Sequence, residues 1–185
     1  MMKLYGVILL LLSYSTLAAN DFTLYLVRHA EKQGDSINPQ LTACGSIRAE
    51  QLATILSKEQ IKKIYSTAYK RTMATAAPLA KNKKLIIDTY DPQKLDAFAL
   101  RLKTQKQTAL IVGHSNTTPQ LAALLTNKKV STVTSSANEK NDLWLAPLGE
   151  DDYQMLYQIH FLNDETKLTQ LIQPLNCRVV VEKSH

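Results

Sequence analysis

Between residues 21 and 113 short apolar runs alternate with amphipathic stretches. DFTLYLV (21–27) and TALIVG (108–113) are unbroken β-favouring runs, the pattern of strands buried on both faces of a parallel sheet. KKIYS (62–66) and KLII (84–87) read as shorter strands of the same kind. Between them, SIRAEQLATILSKEQ (46–60) puts Ala49, Leu52, Ala53 and Leu56 on one helical stripe, and LDAFALRL does the same with Leu95, Phe98, Ala99 and Leu102. Thr118 before Pro119 and Asp91 before Pro92 each offer a capping side chain ahead of a proline suited to the first helical position, so two helix starts are predicted there. Alternating strands and helices of this kind predict an α/β fold, a three-layer α/β/α sandwich around a mostly parallel central sheet. Beyond residue 127 the pattern changes. NKKVSTVTSSANEKND reads as a polar loop, LWLAP and YQMLYQIHFL as strands, and LIQPLNCRVVVE as a terminal segment, so this region is expected to add an antiparallel edge.

The first residues follow neither pattern. Lys3, an unbroken apolar run from Leu4 to Leu12, and small residues at Ala18 and Ala19 read as a signal peptide over 1–19, leaving a single domain over 20–185. The apolar segment is shorter than the roughly 20 residues a membrane-spanning helix needs, so no stable membrane insertion is expected after cleavage. The chain is expected to be exported, to the periplasm or the extracellular space. Its 185 residues, 45% of them hydrophobic, suffice for one sizeable core. Loss of the leader removes one lysine and no acid, lowering the formal charge from +6 to +5. The basic residues are scattered and lack interleaved aromatics, which excludes a nucleic-acid partner from the reading. Cys44 and Cys177 are the two cysteines; in an oxidising compartment they fit one bridge or two free thiols equally well. The four histidines form no close-spaced pair and no CxxC is present, so no metal and no cofactor are expected.

The chemistry gathers at strand ends. In open α/β sheets ligands bind beyond the carboxyl ends of the strands. Arg28 and His29 end the first long run, and His114 ends the run at 108–113. Arg71 stands at the start of a helix that follows the strand ending at Ser66, with Tyr69 and Lys70 as ordinary helix-start neighbours. Two guanidinium groups and two imidazoles suit a phosphoryl group, because guanidinium forks match its oxygens and a neutral imidazole can attack phosphorus. The second imidazole would stabilise the charge that redistributes over the oxygens. The helix starting near Pro119 would add backbone donors.

These residues lie in four ordered blocks: LVRHAEK, LTACGSIRA, YSTAYKRTMATA and LIVGHSNTTP. In that arrangement the chain resembles the histidine phosphatase superfamily, the phosphoglycerate mutase-like family (branch 1), over the mature chain to about residue 126. The resemblance implies a phosphoglycerate mutase-like fold and a metal-independent phosphatase. His29 would carry the phosphohistidine, and Arg28, Arg71 and His114 would form the phosphate pocket. The chain departs from many members at Ser115, where they place an acid after the second histidine. Asp88, Asp91 and Glu31 are the remaining acid candidates; Asp91 is preferred as proton donor, although capping before Pro92 also explains it, and Glu31 reads otherwise as a solvated loop carboxylate. The expected activity is hydrolysis of a small phosphorylated substrate, an envelope sugar phosphate among the candidates. A phosphohistidine phosphatase and a non-catalytic phospholigand-binding protein are the alternatives.

Overall fold

The computed structural model describes residues 21–34, 36–127, 145–163, 165–174 and 177. The leader at 1–19 and most of the loop expected after 127 lie outside these residues. Six strands form one sheet in the order β3-β2-β4-β1-β5-β6: β1 (Phe22–Arg28), β2 (Lys63–Ser66), β3 (Ile87–Thr89), β4 (Ala109–Gly113), β5 (Met155–Leu162) and β6 (Glu165–Ile172). The first four are mutually parallel, and β5 runs antiparallel to both β1 and β6, giving the mixed, mostly parallel sheet with an added C-terminal edge.

Period-two alternation divides the core between the two faces of the sheet. Leu24 and Leu26 of β1 and Ala109 and Ile111 of β4 pack with α3 (Leu95–Gln105) and α4 (Thr117–Thr126). Tyr25, Val27, Leu110 and Val112 face the opposite way, onto α1 (Ala43–Ile55) and α2 (Lys70–Lys83). The stripes anticipated on α1 and α3 are the buried ones: Leu52 and Ala53, like Leu56 just beyond the helix, pack beneath the sheet, and Leu95, Phe98, Ala99 and Leu102 above it. Ala49 joins a smaller cluster with Ala30 and Leu41.

Several boundaries differ from expectation, each for a local reason. The first predicted helix begins earlier, at Ala43, because Thr42 caps it by accepting from Gly45 N–H at 2.9 Å. The third strand starts only at Ile87, because Lys84 adopts a left-handed conformation and Leu85 N–H bonds back to Ala80 O at 2.9 Å, consuming the start of KLII in helix termination. Asp91 does not cap a helix. Its carboxylate accepts from Gln93 N–H at 2.9 Å in a turn, and α3 begins at Leu95. Likewise, α4 begins at Thr117, so Thr118 and Pro119 lie inside its first turn, with Thr118 donating to Val27 O of β1 at 3.3 Å. The described part of LWLAP, residues 145–147, is not a strand.

Candidate active site

The carboxyl ends of β1, β2 and β4 open into a cavity of about 710 Å³, lined among others by Arg28, His29, Arg71, His114, Glu150 and Asp151. The structure thus brings together the two arginines and two histidines singled out in the sequence. The His29 and His114 ring centroids are 5.6 Å apart.

His29 sits where β1 leaves the sheet, with its N–H donating to Gly113 O of β4 at 2.9 Å. Its Nδ1 lies 2.8 Å from its neighbour's carbonyl, Ala30 O. A carbonyl only accepts, so Nδ1 carries the proton and Nε2 keeps its lone pair. Ala30 N–H in turn donates to Thr75 Oγ1 at 3.0 Å, and that hydroxyl donates to Arg71 O at 2.8 Å, tying the residue after His29 to the helix turn that carries Arg71.

His114 is oriented by hydroxyls. Its Nε2 is 3.0 Å from Thr67 Oγ1, and Thr67 donates to Thr72 Oγ1 at 2.9 Å, whose own proton has the Thr67 and Tyr69 carbonyls within 2.9 Å. Arg71 Nη2 stands 3.5 Å from His114 Nδ1, and because a guanidinium can only donate, Nδ1 is the acceptor and Nε2 bears the proton.

Burial and the two guanidinium charges keep both rings neutral. His29, 3% exposed, is lowered to about 3, first by burial and then by Arg71, Arg28 and His114, against the raising effect of the Ala30 hydrogen bond. His114 is lowered to about 4 by burial and then by Arg71 and Arg28. Burial also lowers Arg28 and Arg71, opposed at Arg28 by Tyr153, Asp152, Asp151 and Glu150. Their Nε groups are buried without a partner among the described residues. The two guanidinium groups line one polar cavity with no carboxylate salt bridge to either among those residues, a setting that suits an anion.

Each arginine also lies against a tyrosine. The Arg71 guanidinium is 4.6 Å from the Tyr69 ring centroid, and that ring packs edge-on against His114 at 5.1 Å. Arg28 sits 4.1 Å from the centroid of Tyr153, whose ring is 6.0 Å from that of His29. Tyr69 is therefore part of the cavity wall and no ordinary helix-start residue. Sequence reasoning missed Tyr153 altogether, because nothing local to it announces a contact with residue 28.

The acid candidates are dispersed. Glu31 is not a solvated carboxylate: Arg48 Nε donates to both its oxygens at 3.0 Å and Nη2 to Oε1 at 2.6 Å. Burial pushes the Glu31 carboxyl up, but the Arg48 hydrogen bonds, a backbone hydrogen bond and the charges of Arg48 and Arg28 together hold it below its ordinary value. Asp88 pairs with Lys63 at 3.1 Å on the sheet. The cavity lining includes Pro92 and Gln93 but not Asp91, whose carboxylate serves its own turn and faces Lys94 at 3.9 Å. Among the described residues, the carboxylates that line the cavity are Glu150 and Asp151, from GEDD, an acidic loop within the 131–152 region from which substrate contacts are expected on sequence grounds. The loop after Glu31 contributes Lys32 and Gly34. Away from the cavity, Cys44 of α1 is bonded to Cys177.

The α/β fold, with its mixed, mostly parallel six-stranded sheet, matches that of solved histidine phosphatase structures. Residues 24–94 match the family model of the histidine phosphatase superfamily (branch 1). No curated protein sequence matches the chain. Among solved structures, an alpha-ribazole phosphatase from Shigella flexneri superposes with a TM-score of 0.61 at 15% identity, covering 83% of this chain and 96% of that one. A mycobacterial glucosyl-3-phosphoglycerate phosphatase gives 0.56 at 12% identity, over 82% of this chain and 98% of that one. The protein histidine phosphatase SixA, complexed with tungstate, gives 0.55 at 13% identity, over 82% and 97%. At such identities the likeness establishes the fold; function has to be argued from the site.

Proposed function

We propose that this chain is an exported member of the histidine phosphatase superfamily that hydrolyses a small phosphomonoester through a phosphohistidine on His29. The observation that carries the reading is the cavity itself: two arginines and His114 line it together with a neutral His29 whose Nδ1 is engaged by Ala30 O, leaving Nε2 with the lone pair. The Nε2 lone pair attacks phosphorus, the ester bond breaks toward its oxygen, and the phosphoryl group passes to the ring. Water then attacks the phosphohistidine, releasing phosphate and restoring His29. Arg28 and Arg71 neutralise the oxygens in both steps, so EDTA should leave the rate unchanged. The arriving dianion favours the charged form of His114, which then donates to a phosphoryl oxygen.

The lining names the kind of leaving group. Besides the charged groups it presents Gln93, Ser115, Asn116, Thr117 and two tyrosines, and its volume far exceeds that of phosphate. A hydroxylated group such as a sugar suits these donors and acceptors, in keeping with the superposed phosphatases whose names specify alpha-ribazole and glucosyl-3-phosphoglycerate. A protein phosphohistidine is the second reading, favoured by the superposition on SixA. Export is supported by the leader-like residues 1–19 and by the Cys44–Cys177 bridge, which persists in oxidising compartments. N-terminal sequencing of the secreted or periplasmic fraction tests it.

The deciding experiment is phosphate release from p-nitrophenyl phosphate and a panel of sugar phosphates. His29→Ala should abolish release and Arg71→Ala should reduce it severely. Turnover that survives His29→Ala rejects the covalent route. A wild type that binds phosphate but is inert on every ester, and on phosphohistidine, identifies a binding protein instead.

A further inference from the structure

An alkoxide leaves phosphorus poorly without a proton, and of the acids weighed from the sequence Glu31 is held by Arg48, Asp88 by Lys63, and Asp91 by its own turn. The segment 149–152 closes a β-turn, with Asp152 N–H bonded to Gly149 O at 3.1 Å. Both ends of that turn are clasped by one donor: Arg28 Nη1 donates to Gly149 O at 2.5 Å and to Asp152 O at 3.2 Å. The next residue, Tyr153, lies against the same guanidinium at 4.1 Å. The backbone of the two central residues of the turn, Glu150 and Asp151, is consequently held beside Arg28, and both residues line the cavity with exposed side chains. Arg28 is 6% exposed and lines the same cavity as His29, Arg71 and His114, so the turn stands beside the place where the proposed phosphoryl group binds.

We infer that the tip of this turn, Glu150 with Asp151, supplies the proton that the leaving oxygen takes up. The inference rests on the proposed phosphatase activity and assigns its missing acid. In the first step the His29 Nε2 lone pair forms the bond to phosphorus, the ester P–O electrons pass to the leaving oxygen, and that oxygen takes the carboxyl proton, leaving a carboxylate. In the second step the carboxylate accepts a proton from water as the water oxygen bonds to phosphorus and the N–P bond breaks, returning a neutral imidazole and a protonated carboxyl. The sum is ester plus water to alcohol plus phosphate. The backbone carbonyls hold the turn and the side chains do the chemistry, so amide substitutions separate the two roles.

The test compares benzyl phosphate, whose alkoxide needs a proton, with p-nitrophenyl phosphate, whose phenolate leaves readily. Glu150→Gln, Asp151→Asn and the double variant are measured on both esters beside wild type, with tungstate affinity as the check that the phosphate pocket is intact. The double variant should lower the ratio of kcat/KM for benzyl phosphate to that for p-nitrophenyl phosphate about a hundredfold, the usual scale of acid catalysis, at unchanged tungstate affinity. The single variant that reproduces the drop identifies the donor. An unchanged ratio, whether both rates hold or both fall together, overturns the assignment; a wild type inert on both esters, on the sugar phosphates and on phosphohistidine overturns the underlying phosphatase reading instead.

Discussion

Gly45 tests most sharply how the segment that leaves His29 is held. It is the third residue of α1, and the amide N–H of this glycine donates to the capping Thr42 hydroxyl at 2.9 Å. Helix propensity alone says that Gly45→Ala should stabilise the helix by about 1 kcal/mol. Packing says the opposite. A Cβ at this position would stand 3.0 Å from Glu31 N and 3.1 Å from Glu31 C, and would run into Glu31 O. That backbone cannot yield freely, since Glu31 O accepts from Thr42 N–H at 2.9 Å and the Glu31 carboxylate is locked to Arg48. Overpacking of this sort costs about 1–3 kcal/mol, and displacing Glu31 O also weakens the Thr42 cap, worth about 1 kcal/mol. These losses exceed the propensity gain, so a net destabilisation of about 1–3 kcal/mol is expected in urea denaturation. Relief requires a shift of about 1 Å two residues from His29, a misplacement that can reduce turnover about 100-fold. The assay is paired: the urea midpoint and kcat/KM on p-nitrophenyl phosphate. A Gly45→Ala protein more stable than wild type with unchanged turnover would refute the steric argument.

Three further outcomes are expected. Arg48→Met strands the largely buried Glu31 carboxylate and should cost about 3–5 kcal/mol, whereas combining it with Glu31→Gln should recover much of the loss in the same denaturation assay. Replacing Cys44 and Cys177 by serine opens a covalent loop with a sequence separation of 133 and should cost about 2–5 kcal/mol, lowering the calorimetric midpoint by about 5–20 °C, with dithiothreitol reproducing the effect on wild type. Because the folded-state values of His29 and His114 lie at about 3 and about 4, below the unfolded value, the unfolded chain binds more protons between those limits. Their contribution is therefore full above about pH 6.5 and is lost on acidification at about 1.4 kcal/mol per histidine per pH unit, and neither ring should titrate by NMR between pH 6 and 8.

The legible parts of the molecule were those encoded locally. Leu24 and Leu26 alternate with Tyr25 and Val27 along β1, so the strand's two buried faces can be read from seven residues, and the α3 stripe is equally self-contained. The misplaced boundaries at Lys84, Asp91 and Thr118 arose where one residue type serves several local geometries, since an Asx turn and a helix cap draw on the same side chains. Strand β6 was largely missed: its eight residues, ETKLTQLI, are mostly exposed or half-buried at a sheet edge and carry no apolar alternation to betray them.

The chemical character of the cavity followed from the sequence alone, because strand ends and helix starts decide which side chains reach the carboxyl edge of a parallel sheet: Arg28 and His29 from β1, Arg71 from α2, His114 from β4. Tertiary structure decided everything that spans the chain. The Arg28 clasp joins residues 121 and 124 positions apart, Glu31 finds Arg48 across a helix start, and the carboxylates lining the cavity beside Arg28 come from a turn that no local pattern distinguishes from a solvated loop. The physical reason is that side-chain periodicity records only which face of an element is buried, whereas partners of opposite charge are selected by the packing that brings distant elements within about 3 Å.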